Sequence, residues 1–259
     1  MPAGTDDDAS RWLGRPQRII IGARTAPTHE GTTDAREAAA TLAGVTTHDL
    51  TADLEGGIAA AGQAVRAGQL VVVPTDTVYG VGADAFSPTA VRRLLDAKGR
   101  TRTQPPPVLI GRPETLDALV ADVPGWLRRL LDEIWPGALT VVLQAQPSLT
   151  WDLGETHGTV AVRVPADERA RRLLDVTGPL AVSSANRTGQ PPATTIDEAE
   201  EMLGESVAVY LDGGPTADAV PSTILDATGT SPRVLRQGAV ALEALHAFNN
   251  TIEPAQDAP

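Results

Sequence analysis

From about residue 56 the chain alternates short apolar runs with amphipathic stretches, and this alternation limits the fold more than any other feature of the sequence. Ile58 to Ala67 reads as a helix stopped by Gly68, followed by a buried strand, Leu70 to Val73. Ser87-Pro88 opens the next helix with a cap residue and a proline at the first helical position. Further strands are expected at Val108 to Ile110, Leu139 to Gln144, Gly158 to Val164, Leu180 to Ser183, Val207 to Leu211, Ser222 to Leu225 and Val234 to Arg236. Helices are expected at Glu114 to Val120, Trp126 to Ile134, Asp167 to Val176, Ile196 to Leu203 and Leu242 to Phe248. Helices interleaved with strands predict one α/β domain over residues 52–247, built on a large, twisted, mixed β-sheet flanked by helices. Residues 1–51 read as a partly disordered N-terminal extension and residues 248–259 as a disordered tail.

Composition narrows the function classes. The chain has no cysteine, which removes disulfides, thiolate metal sites and cysteine nucleophiles. No apolar run approaches the roughly 18 residues of a membrane span, and the acidic N-terminus lacks the apolar core of a secretory signal, so the expectation is a cytoplasmic protein with no membrane partner. A net charge of −12 argues against a general nucleic-acid binder. Within that acidic chain Arg92, Arg93, Lys98, Arg100 and Arg102 cluster, opposed only by Asp96. Lys98 is the one lysine among 20 arginines. It shares a helix face with Val91, Leu94 and Leu95, and Gly99 follows as a left-handed terminator. A compact ammonium at a helix end beside Arg100 suits a polyphosphate; the plain alternative is a lysine complementing the helix dipole.

Polar groups also gather just beyond strand ends, the edge at which open α/β sheets bind ligands. Pro74 to Gly80 carries Thr75, Asp76, Thr77 and Tyr79; Ser183, Ser184 and Asn186 follow another strand; Pro221-Ser222-Thr223 opens a third. Arg163 lies within a strand, opposite in face to Val162 and Val164, and asks for an anionic partner, while Arg236 ends the last strand. Familiar motifs fail. Gly80-Val81-Gly82-Ala83-Asp84-Ala85 matches a dinucleotide fingerprint only formally, because six residues separate it from the strand. There is no Walker loop, nucleophile elbow or zinc motif. The surviving constellation binds anions and polar small molecules, and it contains no nucleophile.

These stretches, PTDTVYGVG, AKGR, WPGALTVVL (Trp135 to Leu143), TVAVRVP (Thr159 to Pro165), GPLAVSSANRTGQPPA (Gly178 to Ala193), DGG with PSTILD (Asp212 to Asp226) and VLRQGAV (Val234 to Val240), occur in an order that resembles the YrdC-like L-threonylcarbamoyladenylate synthases. The resemblance covers about residues 56–240 and implies a single YrdC-like domain with a concave, electropositive ligand cavity, in the short form that lacks a second domain. It implies a nucleotidyltransferase that converts ATP, L-threonine and bicarbonate to L-threonylcarbamoyl-AMP and pyrophosphate, with Mg²⁺ accompanying ATP. Partner proteins then carry the threonylcarbamoyl group to the adenosine next to the anticodon of tRNAs reading codons that begin with A, so that tRNA is met only indirectly or weakly. By motif, Lys98, Arg100, Thr159, Ser184, Asn186 and Arg236 fall to ATP, with Lys98 and Arg100 at its phosphates. Thr75, Arg163 and Ser222 fall to threonine, and no protein cluster falls to a metal. One departure stands out: many relatives carry a histidine shortly after the Lys-x-Arg turn, whereas Thr103 to Ile110 here reads TQPPPVLI. The same resemblance admits a non-catalytic relative that binds nucleotide or double-stranded RNA in this cavity.

Overall fold

The computed structural model of the protein describes residues 44–216 and 220–255. Its strands are β1 (Thr46–Asp49), β2 (Val71–Val73), β3 (Gly80–Asp84), β4 (Val108–Leu109), β5 (Leu139–Gln144), β6 (Thr159–Arg163), β7 (Leu180–Ser184), β8 (Val209–Asp212), β9 (Thr223–Asp226) and β10 (Arg233–Arg236). The helices are α1 (Leu54–Arg66), α2 (Pro88–Lys98), α3 (Leu116–Leu119), α4 (Gly125–Ile134), α5 (Glu168–Thr177), α6 (Ile196–Leu203) and α7 (Leu242–His246). All ten strands form one mixed sheet in the order β1-β8-β2-β3-β7-β4-β6-β5-β9-β10. No helix among the described residues is long and apolar enough to cross a membrane.

Local chemistry explains the helix ends. Ser87 accepts from the Ala90 N–H and Pro88 follows it, as the sequence predicts for α2. Gly99 ends that helix at φ 64°, with the Gly99 and Arg100 N–H groups returning to Asp96 and Leu95 carbonyls. Asp167 caps α5, and Thr195 with Glu198 forms a capping box on α6.

Two strands escape the sequence reading. Gly80–Asp84, read there as loop, is β3 and pairs with both β2 and β7. Its two glycines carry no strand preference, yet a Cβ on Gly80 would sit 2.7 Å from the Val182 side chain, so the sheet needs the glycine. Thr46–Asp49 is polar and mostly exposed, but its backbone pairs in parallel with β8, which moves the start of the domain to residue 46 or earlier. The tail also needs correction. Ile252 is buried at 2% exposure, and Glu253 exchanges backbone hydrogen bonds with Val234 and Pro232 along β10. Residues 248–255 are therefore part of the domain, while residues 1–43 and 256–259 lie outside the described residues.

Two apolar layers hold the sheet. The larger combines one face of the strands (Val81, Val108, Val141, Val162, Leu225, Val234) with Leu94 of α2, Leu127 of α4, Leu203 of α6 and Leu245 of α7. The smaller packs Ile58 and Val65 of α1 and Leu173 of α5 on Val71, Val73, Leu109, Leu180, Val182 and Leu211. Strands β5, β6, β9 and β10 contribute nothing to this second layer. Their second face carries Thr159, Ala161 and Arg163 from β6, Thr140 and Val142 from β5, and Ile224 from β9. That uncovered half-face is where the site lies.

Candidate active site

Arg163 anchors the site. The residue is 5% exposed and its guanidinium donates at two points: Nε to Gly137 O (2.9 Å) and Nη1 to Thr77 Oγ1 (2.9 Å). Nη2 lies 2.7 Å from Asp76 Oδ1 as an ion pair but finds no aligned hydrogen-bond acceptor. Asp76 and Thr77 belong to the loop after β2, which is four places from β6 in the sheet. In a flat sheet those strands would be about 19 Å apart, so this contact requires a strongly curled sheet whose loop folds over the uncovered face.

Arg236 reaches the same face through a β-bulge. Val234 pairs with Leu225 and faces the core, but the register then slips and Arg236, not Leu235, pairs with Ile224. Strict alternation would put Arg236 on the core side with Val234; the extra residue turns it outward. Its Nε and Nη2 donate to Ser222 O at 3.1 and 2.6 Å, and Nη2 also reaches Ser222 Oγ at 3.1 Å. Ser222 Oγ in turn lies 2.9 Å from Thr140 Oγ1.

The Lys-x-Arg turn enters from the end of α2. Lys98 continues the buried stripe of Val91, Leu94 and Leu95 and is 1% exposed. Its Nζ donates to Asn186 O (2.6 Å), Asn186 Oδ1 (3.0 Å) and Ser184 O, and its own carbonyl accepts from the Thr188 N–H. All three ammonium protons are used, so Lys98 meets a phosphate only by exchanging one of these acceptors. Arg100 donates through Nη1 to Ser183 Oγ (3.0 Å), while its buried Nε has no partner. Burial, and secondarily Arg100, pushes the Lys98 ammonium down to about 7. Burial likewise lowers Arg100 and Arg163, and lowers Arg236 together with repulsion from Arg163 and Arg100. The four cations thus share one field. The one ion pair any of them makes among the described residues is Arg163 with Asp76. Arg100 Nε is buried with no acceptor, and Lys98, Arg100 and Arg236 make no ion pair among the described residues, which fits a site shaped for an anion.

The other expected residues divide. Asn186 organises its own turn, donating to Arg187 O and Gln190 O. The Ser184 hydroxyl is only loosely held, 3.4 Å from Lys98 Nζ. Thr75 spends its hydroxyl inside its loop, donating to Val78 O and accepting from the Thr77 and Val78 N–H groups. Thr159 shares the face of Arg163 but stands at the other end of β6, about 13 Å away at the usual strand rise, with its hydroxyl on Thr156 O. Among the described residues the Thr103 to Ile110 segment gives the four cations no side-chain hydrogen bond: Leu109 pairs with Arg163 in the sheet, and Pro107 O accepts the Val182 N–H. Among the described residues no group of three histidine or acidic side chains could hold a metal. Sequence reasoning did not single out Thr140, and it noticed Asp76 and Thr77 without giving them roles; their signal was polarity at positions adjoining buried strands.

The family model for Sua5, YciO and YrdC proteins, described as telomere recombination, matches residues 63–238. The chain belongs to the Sua5/YciO/YrdC family. A Mycobacterium tuberculosis relative is 52% identical over 189 residues, covering 73% of this chain and 87% of its own, and bears a provisional threonylcarbamoyl-AMP synthase name. The threonylcarbamoyl-AMP synthase of Pyrococcus abyssi is 37% identical over 182 residues, 70% of this chain and 54% of that one. Among solved structures, Pyrococcus abyssi Sua5 complexed with L-threonine superposes with a TM-score of 0.73 at 36% identity, over 76% of this chain and 58% of its own. Escherichia coli YciO gives a TM-score of 0.66 at 25% identity, over 73% of this chain and 92% of its own. Against the archaeal Sua5 protein, then, this Sua5/YciO/YrdC chain spans a little over half the length.

Proposed function

We propose that this protein is a nucleotidyltransferase that joins L-threonine, bicarbonate and ATP into L-threonylcarbamoyl-AMP and pyrophosphate. The observation that carries this reading is the group of four cations, Lys98 beside Arg100 and Arg236 beside Arg163 and Arg100, in a chain with net charge −12. Threonine enters the proposal from the archaeal Sua5 complex and the product from the relatives' names.

In this reading Arg163, with Thr75 and Ser222, receives the threonine carboxylate and hydroxyl. Lys98, Arg100, Ser184, Asn186 and Arg236 hold the triphosphate, and Thr159 at the far end of β6 meets the rest of the nucleotide. Mg²⁺ arrives on the phosphate oxygens as part of the substrate. Threonine nitrogen and bicarbonate give a carbamate, whose oxygen attacks the α-phosphorus while pyrophosphate leaves. The work of the protein is alignment and the stabilisation of charge as it moves to the leaving phosphates, and fixed guanidinium groups in a partly dry cavity supply both. The product passes to partner proteins that modify the adenosine beside the anticodon of tRNAs reading A-initial codons, in the cytoplasm.

Pyrophosphate release measured with each substrate omitted in turn tests the reading. The expected result is release that needs ATP, threonine and bicarbonate together. ATP binding without release would make the chain a nucleotide-binding relative, and threonine-independent release would remove threonine as the substrate.

A further inference from the structure

Asp76 is the acid in the site that the reading above leaves without a task. Among the described residues it is the one acidic partner of Arg163, and its side chain is 19% exposed. Both of its protein contacts use a single oxygen: Oδ1 lies 2.7 Å from Arg163 Nη2 and accepts the Ala166 N–H at 2.8 Å. Oδ2 takes no donor from the described residues. The carboxylate is therefore held in place by one oxygen while the other is left for something carrying N–H or O–H groups. An α-amino acid presents a carboxylate and an ammonium one carbon apart, and a guanidinium joined to a carboxylate offers the complementary pair.

We propose that Asp76 binds the α-ammonium of the amino-acid substrate through Oδ2 and accepts its proton; this rests on the reading of the protein as a threonine-using synthase. An ammonium has no lone pair and cannot attack carbon. Transfer of one proton to Asp76 leaves a neutral amine, whose nitrogen forms a bond to the bicarbonate carbon. The carbon–oxygen bond to the bicarbonate hydroxyl breaks, and that hydroxyl leaves as water with a second proton from nitrogen, giving the carbamate. Asp76 then returns its proton to solvent. The charged groups around it include Arg163 on β6, Arg171 of α5, whose Nη1 donates to Ala166 O, the Asp167–Arg169 pair opening α5 just beyond Ala166, and Arg236, which repels Arg163 from β10.

Asp76→Asn keeps an oxygen for the Ala166 N–H and removes the charge. Calorimetric binding of L-threonine and of 2,3-dihydroxybutanoate, its α-hydroxy analogue, separates the ammonium from the rest of the ligand. The wild-type protein should prefer threonine at least about tenfold, and Asp76→Asn should lose that preference. Turnover by Asp76→Asn should fall at least about 100-fold at neutral pH and climb with pH until free amine predominates, with Asp76→Glu restoring part of the rate. Equal binding of the two ligands by the wild-type protein overturns the proposal even if the variant does not fold, and so does a wild-type pH profile in Asp76→Asn. The binding comparison uses no ATP, so it stands or falls separately from pyrophosphate release.

Discussion

Lys98 is an expensive residue in its position, and the cost is visible in how it is held. An ammonium at 1% exposure survives because carbonyls and an amide oxygen surround it. Lys98→Arg should destabilise the fold by about 1–3 kcal/mol, because a planar guanidinium cannot enter that cage without moving the end of β7. A thermal melt that matches the wild type would show that the cage is loose. The depressed pKa also fixes a sign. Between about 7 in the folded state and 10.5 in the unfolded chain, the unfolded state binds more protons, so the Lys98 contribution raises stability as pH climbs through that window and is lost as pH falls through it. The stability gap between wild type and Lys98→Met should therefore move in favour of the wild type by up to about 1.4 kcal/mol per pH unit between pH 7 and 10. A gap that stays constant across that range would show that burial does not lower the Lys98 pKa.

At the scale of elements, two features decide whether the site exists. The bulge in β10 turns Arg236 onto the face of Ile224, so deleting Leu235 should return the guanidinium to the core side and weaken ATP binding at least about tenfold. Titration of ATP into that variant checks it, and unchanged affinity would separate Arg236 from the nucleotide. The segment after α7 is the other. Ile252 is buried at 2% exposure beside Val234, so Ile252→Ala should cost about 2–4 kcal/mol in denaturant unfolding, where a disordered tail would cost nothing. These two elements also show what the sequence could reveal. Helix α2 was legible to the residue because its cap, proline, stripe and terminator agree. Strand β3 was not, because two of its five residues are glycine and its reason for existing is the close approach of Val182. Nor was β1, whose pairing with β8 is made by backbone and leaves no pattern in Thr46–Asp49.

For the whole molecule, the α/β architecture follows from periodicity, whereas the curl of the sheet does not. Curling sets Arg163 against a loop four strands away, and half of one face is left without helices, so the site is assembled from segments spread between residues 75 and 236. Arg163 announced its need for an anion from the sequence; that Asp76 would meet it from across the sheet required the fold. The four cations gather in a chain of net charge −12, so salt should weaken ATP binding at them while relieving repulsion elsewhere. The claim on which everything else depends is that this site builds a carbamate from bicarbonate and threonine and joins it to AMP. Incubation with ATP, L-threonine and ¹³C-bicarbonate, followed by mass analysis of the nucleotide product, tests it directly. The account predicts threonylcarbamoyl-AMP heavier by the label, formed in step with pyrophosphate; AMP or ADP without a labelled adduct would contradict it.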